Sequence, residues 1–171
     1  MQIHFMPSWP EPLAQCALFV LILAVLGVCM TIIGELLPRK WFRHDGPFFR
    51  SFPWEKNGAV YNKVQVKKWK DRVLDMSKIL PGAFKKKMSS FHDAAFSLRL
   101  LQETCVAETV HWLLILFSPV FVIFMKPGYG AVFCLLYILG NLPFIVIQRY
   151  NRPRLAAIYA RQLRLQERET K

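Results

Sequence analysis

The chain has 171 residues, 54% of them hydrophobic, yet it carries 23 Lys and Arg against 11 Asp and Glu. A mean hydropathy of +0.25 alongside so many cations requires apolar and basic residues to be segregated along the chain, which excludes an evenly mixed polar surface. The four cysteines (Cys16, Cys29, Cys105 and Cys134) lie in or beside apolar runs without C-x-x-C spacing, which excludes a disulfide framework and a zinc site.

Residues 13–33, LAQCALFVLILAVLGVCMTII, contain no charge and are long enough as a helix to cover the ~30 Å of a bilayer core. The preceding MQIHFMPSWPEP lacks the basic residues of a secretory leader, so a retained helix is expected. Residues 34–105 form a basic cytosolic segment. Within it, WFRHDGPFFRSFPWEKNG is too aromatic for a linker and too interrupted for a crossing, and suits the headgroup zone. AVYNKVQVKKWKDRVLDM suits a helix lying on anionic lipid or packed on the bundle, LPGAFKKKM is a break with a basic patch, and FHDAAFSLRLLQE reads as a helix. The second crossing is predicted over 106–125, a tight turn at KPG, and the third crossing over 129–147. The tail 148–171 is predicted as a basic amphipathic helix, with Pro153 holding Arg152 extended. One domain is expected from a chain of this length.

Charge then orients the chain. The N-terminal tail has no Lys or Arg and the KPG turn has one, whereas 34–105 has fifteen and the C-terminal tail seven. The positive-inside rule predicts a multi-pass membrane protein with its N-terminus outside and its C-terminus in the cytosol. A net charge of +12 alone admits nucleic acid as a partner, but the apolar crossings point to anionic phospholipid instead.

The polar groups in the crossings are the candidate chemistry. Glu108 and His111 are three apart and share a helix face, and Glu103 lies about two turns earlier. Asn141, Gln148 and Arg152 keep near one face of the third crossing. Ionisable groups inside a membrane are costly and point to function. The pattern predicts His111 as a general base oriented by Glu108, with Glu103 beside them, and Asn141 and Gln148 donating to an oxyanion. Tyr150, Asn151, Trp112 and Trp69 are assigned to the substrate. Arg149, Arg152 and Arg154, with Lys68 and Lys70, are assigned to a phosphate of the donor. A metal site at Glu103, Glu108 and His111 is the alternative, and it is poorly supplied with further carboxylates and histidines. No metal is expected.

FRSFPWEKNGAVYNKVQVKKWKDRVLD, ETCVAETVHW and NLPFIVIQRYNRPRL together resemble the glycosyl-4,4'-diaponeurosporenoate acyltransferase family over about residues 34–155. The resemblance implies transfer of a fatty acyl chain to a sugar hydroxyl of a membrane glycolipid, in that family a glucose esterified to a carotenoid acid. It carries over Trp54, Glu55, Lys56, Gly58, Asn62 and Asp75 in the loop, besides the residues already assigned and Pro143 and Pro153. It implies no bound cofactor, with acyl-CoA or an acyl carrier protein as co-substrate. The expectation is thus an all-α integral membrane O-acyltransferase with three transmembrane helices and a glycolipid acceptor. Dimerisation suits it because three helices enclose little space. A membrane methyltransferase or reductase, or a non-catalytic subunit, is the alternative function.

Overall fold

The computed structural model describes residues 10–70 and 94–169. The N-terminal tail with His4, and the stretch 71–93 with Asp75, His92 and LPGAFKKKM, lie outside the described residues. Helix α1 spans Glu11–Leu36, α2 Val66–Trp69, α3 Ala94–Phe117, α4 Val120–Phe124 and α5 Pro127–Glu169, and no strand occurs among the described residues. Three helical stretches, Glu11–Leu36, Ala94–Phe124 and Pro127–Arg168, are long and apolar enough to cross a bilayer. The all-α membrane fold with three crossings is therefore borne out, and the protein is a multi-pass membrane protein.

Local chemistry explains the helix ends. Pro10 and Pro12 stand at the start of α1, where a missing N–H is harmless, and Glu11 places a negative charge in its first turn. The helix stops at Leu37 (ψ 122°) because Pro38 forces the residue before it out of helical geometry. Pro119 interrupts the second crossing between α3 and α4. Met125 is extended (ψ 164°), and Pro127 opens α5 as its first residue.

The sequence predicts a break after residue 147 and an extended Arg152, but α5 runs unbroken for 43 residues through Pro143 and Pro153. Each proline removes one helix donor. Beside Pro153, Arg149 and Arg152 make side-chain bonds that hold the turn, as described below. AVYNKVQVKKWKDRVLDM is likewise not one helix as far as residue 70. A 3-10 turn at Ala59–Asn62 and the short α2 are separated at Gln65, which sits in left-handed geometry (φ 52°).

The chain divides into two compact units, Met1–Leu37 with Thr109–Pro143 and Pro38–Glu108 with Phe144–Lys171. The first has a core of Met30, Leu114, Phe121, Met125 and Tyr137. Phe19 stacks on Phe133 (centroids 4.3 Å apart) and tilts against Phe121 at 5.2 Å. Lys126 Nζ pairs with Glu11 at 2.9 Å, and its backbone N–H donates to Gln15 Oε1 at 3.3 Å. The start of α1 is thereby tied to the turn before α5, as antiparallel crossings require.

Gly130 makes that turn tight. A Cβ there would lie 2.7 Å from the Phe121 carbonyl oxygen and 2.9 Å from Val122 Cα, both backbone atoms that cannot swing away. Small residues allow this approach between membrane helices. Gly130→Ala is expected to cost about 1–3 kcal/mol, read as earlier unfolding of the purified protein in detergent.

The second unit folds the aromatic segment into turns, a 3-10 turn at Arg39–Trp41 and another at Pro53–Glu55. Tyr61, Val66 and Tyr150 form a core that Val60, Trp69, Val146 and Ile147 cover. Trp41, Phe48 and Trp54 remain exposed.

Candidate active site

In the second unit, four charged side chains meet out of solvent. Glu108 is 0% exposed, Glu55 1% and Arg152 3%. Glu108 accepts from Arg149 Nη1 at 2.7 Å on one oxygen and from Arg152 Nη2 at 2.5 Å on the other. Arg149 also grips Glu55 with two parallel bonds, Nε to Oε1 at 2.6 Å and Nη2 to Oε2 at 2.9 Å. The Phe52 backbone N–H donates to Glu55 Oε2 at 2.6 Å, and the Tyr61 hydroxyl donates to Oε1. Arg152 spends its other donors on Thr104 Oγ1 (3.1 Å) and on the carbonyls of Thr104 (3.0 Å) and Phe49 (2.9 Å). Two carboxylates and two guanidiniums cancel, and each charge is hydrogen-bonded, which is the condition under which charges survive burial.

Glu55 is carried over by the family resemblance, but the sequence assigns it no role and does not pair it with Arg149. Its signal is a Glu closing a Phe-Pro-Trp-Glu turn before Lys-Asn-Gly, where its side chain reaches back to the N–H three residues earlier. Lys56, Asn57 and Gly58 follow with φ of 48°, 54° and 81°, reversing the chain after it. Burial alone pushes the Glu55 carboxyl up, but the bonds from Arg149, Tyr61 and Phe52 outweigh it and hold it below the usual carboxylate range. Burial, and then the bond to Glu55, push the Tyr61 hydroxyl up, so it stays a donor.

The remaining loop and tail residues divide by partner. Glu103 is bonded by Arg39 at 3.1 and 3.2 Å and by Arg99 at 2.8 Å. Trp69 donates its indole N–H to the Val64 carbonyl at 2.9 Å, inside the loop. Asn151 accepts from Lys70 at 3.4 Å, and Arg154 donates to the Tyr150 carbonyl and lies over that ring. Lys68 is exposed, and Gln148 is half-buried. Arg149 and Arg152, expected on phosphate, are instead turned inward onto Glu55 and Glu108, because a buried carboxylate pairs more favourably than it stays bare.

In the first unit, His111 Nδ1 lies 2.8 Å from Asn141 Oδ1. The Asn141 amide nitrogen donates to the Tyr137 carbonyl at 2.8 Å. A carbonyl accepts only from the NH₂ end, so the amide oxygen must be the end facing the imidazole. His111 Nδ1 therefore carries the proton in the neutral ring, and Nε2 is the basic nitrogen. One N–H of the Asn141 amide is thus directed at Tyr137 and the amide oxygen at His111. Glu108, expected to orient His111, has an arginine on each oxygen. Trp112, next to His111, is 41% exposed. No group of three or more His, Cys, Asp or Glu able to hold a metal occurs among the described residues.

The family model described as glycosyl-4,4'-diaponeurosporenoate acyltransferase matches residues 38–161, which include both residue groups above. A glycosyl-4,4'-diaponeurosporenoate acyltransferase of Staphylococcus aureus (strain MRSA252) is 34% identical over 128 residues, covering 74% of this chain and 76% of the relative. Those of strains USA300 and Newman are 33% identical over the same shares. No solved structure matches the chain. The resemblance read from the sequence is borne out, and methyltransferase and reductase readings are set aside. The chain is an acyltransferase and belongs to the glycosyl-4,4'-diaponeurosporenoate acyltransferase family.

Proposed function

We propose that the protein transfers a fatty acyl chain from a thioester donor, acyl-CoA or an acylated carrier protein, to a sugar hydroxyl of a membrane glycolipid, such as a glycosylated carotenoid acid. The single observation that carries the mechanism is the His111–Asn141 pair, which leaves Nε2 as the basic nitrogen. Nε2 takes the proton from the sugar hydroxyl as its oxygen attacks the thioester carbonyl carbon. The tetrahedral intermediate forms a C–O bond, then collapses by breaking the C–S bond. The departing thiolate recovers the proton from the imidazolium. Asn141 holds the tautomer, the part that a carboxylate plays in a Ser-His-Asp triad. Direct attack fits the residues present, because Cys105 is fully buried and, six residues before His111, points about 120° away from it round α3.

The distribution of basic residues supports an N-terminus outside and a C-terminus in the cytosol of a bacterial plasma membrane. Exposed Trp41, Phe48 and Trp54, together with the loop lysines, support contact of the loop with anionic phospholipid.

The test is reconstitution of purified protein in vesicles with a glycolipid acceptor and an acyl thioester. The expected product is the acceptor heavier by one acyl chain, with release of one thiol per ester formed. Thiol release without an acylated lipid, or neither product across CoA and carrier-protein thioesters, rejects the reading.

A further inference from the structure

Two cations of the second unit gather on a single tyrosine. Lys70 Nζ lies 5.6 Å from the centroid of the Tyr150 ring, and the Arg154 guanidinium carbon lies 3.6 Å from the same centroid. Their hydrogen-bond partners are neutral: Asn151 Oδ1 for Lys70 at 3.4 Å, and the Tyr150 carbonyl for Arg154. Among the described residues, no carboxylate is paired with either one. Arg39, Arg149 and Arg152 differ, each being matched by a glutamate. The site is also accessible, with Arg154 exposed and Lys70 half-buried.

The loop is shaped to this place. Gly58, at φ +81°, backs against the helix turn, and a Cβ on it would stand 3.3 Å from Arg154 Nη1 and 3.4 Å from the Tyr150 carbonyl oxygen. A side chain there would be strained and would crowd the guanidinium. Two like charges within about one Debye length, ~10 Å at 0.1 M salt, repel each other. A cation–π contact at an exposed position offsets this repulsion only weakly. An anion bridging the pair removes the conflict, and a planar guanidinium fork beside a compact ammonium suits the several oxygens of a phosphate.

We propose that Lys70 and Arg154, gathered on Tyr150 beside Asn151 and Gly58, form a binding site for a phosphate ester. Two sources carry that chemistry, the phosphates of a coenzyme A-type donor and the phosphodiester of an anionic lipid. The donor source rests on the acyl-transfer reading, whereas the site itself does not. The site takes over the phosphate role from Arg149 and Arg152, which are committed to Glu55 and Glu108.

The experiment uses the full-length protein in nanodiscs of phosphatidylcholine, titrated with coenzyme A, and separately measures phosphatidylglycerol retained through detergent purification. The proteins compared are the wild type, the double variant Lys70→Gln/Arg154→Gln, and the charge-keeping Lys70→Arg/Arg154→Lys. Coenzyme A binding that weakens tenfold or more in the glutamine variant and persists in the charge-keeping one supports the donor source. Phosphatidylglycerol held by the wild type and lost only from the glutamine variant supports the lipid source. Equal binding of both ligands by wild type and glutamine variant, or no binding of either by the wild type, overturns the site. Acyl transfer is assayed in parallel. Phosphate binding lost with the glutamines in a protein that transfers no acyl chain sinks the functional reading and keeps the site. Intact acyl transfer with unchanged phosphate binding does the reverse.

Discussion

Replacing Arg149 by methionine is expected to cost about 3–5 kcal/mol of folding stability, the usual result of removing one partner from a buried ion pair. The magnitude follows from what is left behind. Glu55 loses both its Nε and Nη2 bonds and Glu108 loses its Nη1 bond, and both carboxylates stay out of water. Against a typical stability of ~5–15 kcal/mol, the loss is a large fraction of the whole. Arg149→Lys recovers little, because an ammonium is a point charge and cannot span Glu55 in parallel and Glu108 at once. The control is a quadruple variant with Glu55→Gln, Glu108→Gln, Arg149→Met and Arg152→Met, which removes the charges together. It is expected to be more stable than Arg149→Met alone, since the cost lies in the stranded carboxylates and not in the missing attraction. Thermal unfolding of the full chain in detergent, followed by circular dichroism, measures both. Arg149→Met within 1 kcal/mol of the wild type would show that the cluster does not hold the loop.

The same cluster makes stability depend on acid. The Glu55 carboxyl is held below its ordinary value in the folded chain, so the unfolded chain binds its proton more readily. Its contribution is therefore complete above the unfolded pKa, ~4.3, and is lost as pH falls through the lower folded value. Glu55→Gln is expected to flatten this acid limb while leaving the pH dependence near neutrality unchanged.

Much of this fold can be read from one dimension, and the site only in part. The crossings are legible because apolarity is a property of a continuous run, as in the uncharged stretch within Glu11–Leu36. The unbroken α5 is not legible, because proline is a local signal and the bonds that offset Pro153 come from Arg149 and Arg152 reaching far along the chain. Glu108, Arg149, Arg152, His111 and Asn141 stand out as polar groups near apolar runs. Their pairing does not stand out, since Glu55 and Arg149 are 94 residues apart and any of several basic residues could meet any of seven glutamates on composition alone. Helix spacing draws Glu108 and His111 together, being three apart. It is blind to the arginines of another helix, which outbid the imidazole for the carboxylate because a charge-assisted fork is the stronger partner.

His111→Ala is expected to lower kcat by about 10²–10⁴, the range that a positioned general base contributes, with thermal stability close to that of the wild type because the side chain is only half-buried. Asn141 separates a base from a helix–helix contact. Asn141→Leu removes the acceptor for the Nδ1 proton, so the imidazole is free to take the other tautomer, with its proton on the nitrogen meant to receive one. Asn141→Asp restores an oxygen acceptor at the same place while losing the donor to Tyr137. If Asn141 acts through the tautomer, the aspartate variant turns over at least tenfold faster than the leucine variant, and KM for the glycolipid is similar in both. If it only joins two helices, the two variants fall in step with their unfolding temperatures, since both lose the amide N–H. Equal kcat in the leucine variant and the wild type removes His111 from proton transfer, because a base with an unfixed tautomer cannot be indifferent to losing what fixes it.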